Sequence, residues 1–82
     1  MNIFGIPVIT EHDLGSWIVR DEVVNMYGVG ATKQDAIDDY ESVLWEYYDE
    51  LQKGNLGSHL ARHLDYLHRH LGGATWSVID EA

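Results

Sequence analysis

Tyr27-Gly28-Val29-Gly30-Ala31-Thr32-Lys33-Gln34-Asp35-Ala36-Ile37 decides the fold, because it passes from a β-prone run through two glycines into the start of a helix. Thr32 followed three residues later by Asp35 forms a capping box with Asp in place of Glu, and the acid complements the positive end of the helix dipole. The glycines release the chain from a strand and let it approach the helix start closely. Gly28-Val29-Gly30 is no dinucleotide loop, since the third glycine of that motif would fall at Lys33.

Upstream, Ile3 to Thr10 is β-rich but holds Pro7, which suits an edge strand or a strand end. Residues 11–16 carry turn formers, Trp17-Ile18-Val19 makes a second strand, and Val23 to Gly30 a third. The opening third reads as a three-stranded antiparallel meander. Downstream, Ala36, Ile37, Tyr40, Val43, Leu44, Tyr47, Tyr48 and Leu51 fall within an arc of about 140° on a helical projection. This predicts a long helix over residues 33–53, closed by Gly54 as C-cap, with Trp45 as the one large apolar residue well off the arc. Ser58 is a suitable N-cap for a second helix over 58–71, whose Leu60, Leu64, Leu67 and Leu71 form a narrow seam. Thr75 to Ile79 is expected to be a final strand. The fold class is therefore α+β in a single domain over residues 1–82, with Ile18, Ile37, Tyr40, Leu44, Leu51, Leu60, Leu64 and Leu67 in the core.

Composition limits the function. Lys and Arg number 5 against 14 Asp and Glu, a formal net charge of −9, so direct binding to nucleic acid is not expected and a basic protein surface is the better partner. No run approaches the roughly 18 apolar residues of a membrane span, and the N-terminus lacks a signal-peptide pattern, so a cytoplasmic protein is expected. A small core without cysteine gains little net stability, and the leucine seam and off-arc Trp45 point to homo-oligomerisation.

Candidate sites are few. His59 and His63 stand at i and i+4, the spacing at which two imidazoles can share a metal ion. His70 lies on the same flank but about 10 Å further along the axis at ~1.5 Å per residue, too far for one ion. Leu60 stands where a HExxH metalloprotease has its glutamate, so neither metal nor cofactor is expected. No serine lies in a G-x-S-x-G elbow. Asp38, Asp39, Glu46, Asp49 and Glu50 fall on the outward side of the long helix, where they read as a solvated acidic face suited to steering a basic partner rather than as catalytic carboxylates.

The Gly30, Thr32, Asp35 and Ala36 pattern, preceded by a meander and followed by an amphipathic helix, resembles the HicB-like antitoxin family over about residues 1–53. Such antitoxins place a strand ending in a G-x-T-x-x-E-A-like segment before the helix. The resemblance implies a partial RNase H-like fold without nuclease activity, which neutralises a small, basic, RNA-cleaving HicA-type toxin by covering it. Many members continue into an operator-binding segment. None is recognisable here, so DNA binding is not carried over, and the histidine-rich second helix departs from the simplest family pattern. Two other readings stay open: a self-assembling structural or regulatory protein, and a metal-dependent hydrolase or metal sensor.

Overall fold

Tight turns and one long helix organise the chain, whose computed structural model describes residues 1–54 and 57–72, without the side chains of Ser58 and His59. β1 (Asn2–Ile3) and β2 (Ile6–Pro7) form a small hairpin. β3 (Ile9–Asp13), β4 (Ser16–Arg20) and β5 (Tyr27–Gly30) form an antiparallel sheet in that order. Both hairpin turns hold two consecutive residues at positive φ, Phe4 (54°) and Gly5 (80°) in the first and Leu14 (50°) and Gly15 (79°) in the second. That geometry matches the twist of the flanking strands.

The strands differ from the expected meander in detail. The single strand expected over residues 3–10 is broken by the Phe4-Gly5 turn, and residues 11–13, expected in a connection, belong to β3. The Leu14-Gly15 turn falls within the connection expected over residues 11–16, whereas the Phe4-Gly5 turn, with Phe in place of Asn or Asp in its first position, interrupts the expected first strand. Val8 donates its N–H to the Met1 carbonyl at 2.9 Å, and Ile3 pairs with Ile6. Pro7, opposite Asn2, therefore occupies the ladder position that needs no N–H. The third strand, expected from Val23, begins only at Tyr27, because residues 23–26 wrap around the carboxylate of Asp21.

Helix α1 (Lys33–Leu51) starts as expected, with the Thr32 hydroxyl accepting the Asp35 N–H at 3.0 Å. It ends at Gln52 in a right-handed conformation, where Gln52 and Lys53 donate to the Asp49 and Glu50 carbonyls, so the C-cap is Gln52 and Gly54 lies beyond it. Helix α2 (Ser58–Leu67) is capped by Gly57 rather than by Ser58, the Ala61 N–H donating to the Gly57 carbonyl at 2.9 Å. From His68 to Gly72 the chain widens into a π-helical turn, so the second helix keeps α geometry only to Leu67. The strand expected over 75–79 lies outside the described residues.

Helix α1 lies on one face of the sheet, against β5 and β4. The contact is backbone to backbone: a Cβ on Gly28 would overlap the Tyr40 and Ala36 main chain, and one on Gly30 would fall 2.5 Å from the Ala36 nitrogen. Tyr40, Leu44, Tyr48 and Leu51 of α1 bury with Val19, Val24, Leu67, Leu71 and the hairpin residues Ile3, Ile6 and Val8. Tyr40, Leu44, Leu51 and Leu67 are thus buried as expected. Ile37, Leu60 and Leu64 are half-buried at the margin of the core. Ile18, also expected inside, is half-buried on the other side of the sheet, because its neighbour Val19, opposite Gly28, faces α1. Trp45 packs edge-on against Phe4 and Tyr48, at centroid distances of 5.8 and 5.9 Å. No described helix is long and apolar enough to cross a membrane.

Candidate protein-binding surface

Strand alternation and register build an uncovered sheet face. With Val19 and Gly28 turned to α1, the opposite face carries the rows Ile9–Arg20–Tyr27 and Glu11–Ile18–Val29. Tyr27 is 62% exposed, Val29 43% and Ile9 37%, and nothing among the described residues covers them. Arg20 is the only cation in these rows. Its Nε donates to Glu11 at 2.9 Å and its guanidinium also meets Glu22 at 3.6 Å, so hydrogen bonding to Glu11 above all holds its pKa above the ordinary value. The face therefore combines apolar centres with carboxylates whose one local counter-charge is already shared.

At the tip of the β3–β4 hairpin, Leu14 is 97% exposed. A bulky residue in the left-handed region is uncommon, and an exposed one gains nothing from burial. Phe4, at the same place in the first turn, has a reason to be large, namely Trp45. Leu14 has no such contact within the described chain. On the α1-facing side of this hairpin, His12 stacks on Trp17 with ring centroids 4.5 Å apart and nearly parallel.

The five acidic residues expected to form one steering face are exposed but not equally available. Asp39 accepts the Val29 N–H at 2.9 Å, closing part of the outer edge of β5. Asp38 accepts from the Gln34 side-chain amide at 2.9 Å. Asp49 and Glu50 share Lys53, at 3.0 and 3.6 Å. Glu46 is exposed. The helix that carries them packs on the α1-facing side of the sheet, so the apolar rows and most of these acids look in opposite directions.

His63, His68 and His70 of the second helical segment bind neighbouring elements. His63 Nδ1 lies 2.7 Å from the Tyr47 hydroxyl and His68 Nδ1 2.8 Å from that of Tyr48, which ties α2 and the π-helical turn to α1. His70 Nδ1 is 2.9 Å from the Phe4 carbonyl; a carbonyl only accepts, so this nitrogen carries the proton. Among the described residues no three His, Cys, Asp or Glu side chains are placed to hold one metal ion. A groove of about 640 Å³ runs between Val23 and Arg62, Tyr66 and Arg69 of the second helical segment. Asp65 lines it as well and pairs with the Arg69 guanidinium.

Asp21 is the polar residue that the sequence does not single out. It is 2% exposed, and its carboxylate accepts the N–H groups of Val23, Val24, Asn25 and Met26 and the Tyr40 hydroxyl, the last at 2.8 Å. Burial, reinforced by the bond to Asp21, pushes the Tyr40 phenol well above its ordinary pKa. With every bond spent on the chain's own donors, this carboxylate has no lone pair directed at a substrate. The Asp-x-Val-Val-Asn order, an acid just ahead of a residue that tolerates the left-handed region (Asn25, φ 60°), was the available signal.

No family model, no curated protein and no solved structure matches this chain.

Proposed function

We propose that the chain is a non-catalytic protein-binding module that captures a basic partner, in the manner of the HicB-type antitoxins it resembles. The observation that carries this reading is the uncovered outer face of β3–β5, where Ile9, Tyr27 and Val29 stand exposed beside Glu11 and Glu22 on a chain of net charge −9. Apolar groups surrounded by acids fit a protein surface with a basic rim and repel phosphate backbones. Asp21, the most buried carboxylate among the described residues, serves the fold, and Asp38, Asp39, Asp49 and Glu50 of α1 are exposed with local partners, so no chemistry is asked of them. A HicA-type, RNA-cleaving toxin is the proposed partner, and a cytoplasmic setting belongs to the same proposal.

The test is co-expression with the product of a short basic reading frame encoded beside this chain. A one-to-one or higher complex that survives gel filtration, and suppresses RNA cleavage by the partner, is the expected result. Absence of such a neighbour, or a neighbour that elutes alone, would leave the self-assembling reading, for which the same exposed face is the favouring observation.

A further inference from the structure

We infer that the docking surface is Leu14 together with the outer face of β3–β5, and that Leu14 is the anchor that enters an apolar pocket of the basic partner. The inference rests on the protein-binding reading above and locates it on the side of the molecule away from α1. Leu14 combines 97% exposure with a φ of 50°, in a turn whose first position favours Asn, Asp or Gly. Neither local geometry nor packing within the described chain accounts for a leucine there, whereas the equivalent Phe4 is accounted for by Trp45. Leu14 thus stands exposed, without a partner among the described residues, at the tip of the hairpin whose outer face carries the apolar rows. On the same hairpin and its neighbour β5, Ile9, Tyr27 and Val29 extend that contact over the sheet.

Face-on docking is favoured over strand addition. The Val29 N–H at the outer edge of β5 is already taken by Asp39, and the β3 edge carries Glu11, His12 and Asp13, charged or polar groups that discourage further pairing. Charge selects the occupant. Arg20 is engaged by Glu11 and Glu22, so the face offers acids and no unpaired cation, and a second copy of a chain at −9 would bring like charge against it. A partner with Lys or Arg around an apolar pocket answers both features.

The experiment measures binding of the purified basic neighbour to the natural chain, Leu14→Asn, the pair Tyr27→Thr with Val29→Thr, and the pair Asp38→Lys with Glu46→Lys, with thermal melting of each. Leu14→Asn is expected to melt higher than the natural chain and yet to bind at least about tenfold more weakly, through a faster dissociation rate. The threonine pair keeps strand propensity and is expected to lose a similar factor, while the lysine pair slows association and leaves dissociation within about twofold. Amide exchange in the complex should be slowed across residues 9–20 and 27–30. Binding within twofold for both Leu14→Asn and the threonine pair, with the neighbour still captured, would overturn the surface assignment alone. A neighbour that does not bind the natural chain would remove the protein-binding reading and this inference with it. Sedimentation gives the remaining outcome: a natural chain that self-associates, and that Leu14→Asn converts to monomers, would make the occupant a second copy and not a basic protein.

Discussion

One carboxylate, that of Asp21, joins the end of β4, the loop 22–26 and the middle of α1. Removing one partner from a buried hydrogen-bonded set leaves the others unsatisfied, which typically costs about 1–3 kcal/mol per group and more near a charge. Asp21→Asn keeps one acceptor but turns an amide NH₂ toward donors; urea unfolding should show a loss of about 2–4 kcal/mol. Tyr40→Phe removes one bond of the five and should lose less, about 1–2 kcal/mol. The raised Tyr40 pKa has a sign that can be checked. Above pH 10, the ordinary tyrosine value, the unfolded chain releases the phenolic proton while the folded chain keeps it, so stability falls as pH rises. The stabilisation is complete below pH 10 and declines above it by up to about 1.4 kcal/mol per pH unit for one such group. Tyr47 and Tyr66, raised by burial first, act in the same direction. Urea midpoints at pH 9, 10 and 11 for the natural chain and Tyr40→Phe would expose the difference, the variant declining less steeply.

Among the elements, α1 and its start were legible in the sequence because cap, periodicity and apolar arc agree on one answer. The capping bond from Asp35 to Thr32 is the predicted one, and Tyr40, Leu44 and Leu51 bury as the arc requires. The strands were less legible. The turn led by Phe4 lacks the Asn or Asp usual in its first position, and residues 11–13, polar and turn-like, are held in β3 by pairing with β4, which shortens the expected connection to Leu14-Gly15. Loop 23–26 looks β-prone because Val23, Val24 and Met26 are, but the carboxylate two residues before Val23 supplies their N–H groups with a partner other than a strand. Close contact between β5 and α1 makes a sharp prediction about side-chain volume. Gly28→Ala has no room beside the Tyr40 backbone and should lose about 3 kcal/mol or more, whereas Gly54→Ala meets open space and should stay within about 0.5 kcal/mol of the natural chain. Thermal or urea unfolding of the two variants side by side would check it.

For the whole molecule, the sign of the charge was legible and the position of the contact was not. Asp38, Asp39, Glu46, Asp49 and Glu50 are exposed as expected, but Asp39 is tied to β5 and Asp49 and Glu50 to Lys53. Which strand residues remain uncovered depends on the face that α1 occupies, and no local pattern fixes that for Tyr27 or Val29. Two grounds for self-association have changed as well: Trp45 meets Phe4 and Tyr48, and Leu67 and Leu71 are buried within one chain. A net charge of −9 acts at a distance through the field of the whole molecule, so capture of a basic partner should slow several-fold between 50 and 300 mM salt, on the order of the screening expected as the Debye length falls below about 10 Å. Stopped-flow association at the two salt concentrations reads this directly, and dissociation should change little.

The division of labour around Asp21 also implies an order of events during folding. Four of its donors lie within five residues and can gather as a local turn, but the Tyr40 hydroxyl is 19 residues away and arrives only when α1 docks on the sheet. Tyr40→Phe should therefore leave the refolding arm of a chevron plot nearly unmoved and raise the unfolding arm, while Asp21→Asn slows refolding too. The loop would then act as a nucleus that waits for its helix, and the hydroxyl as the latch that sets how long the native state lasts.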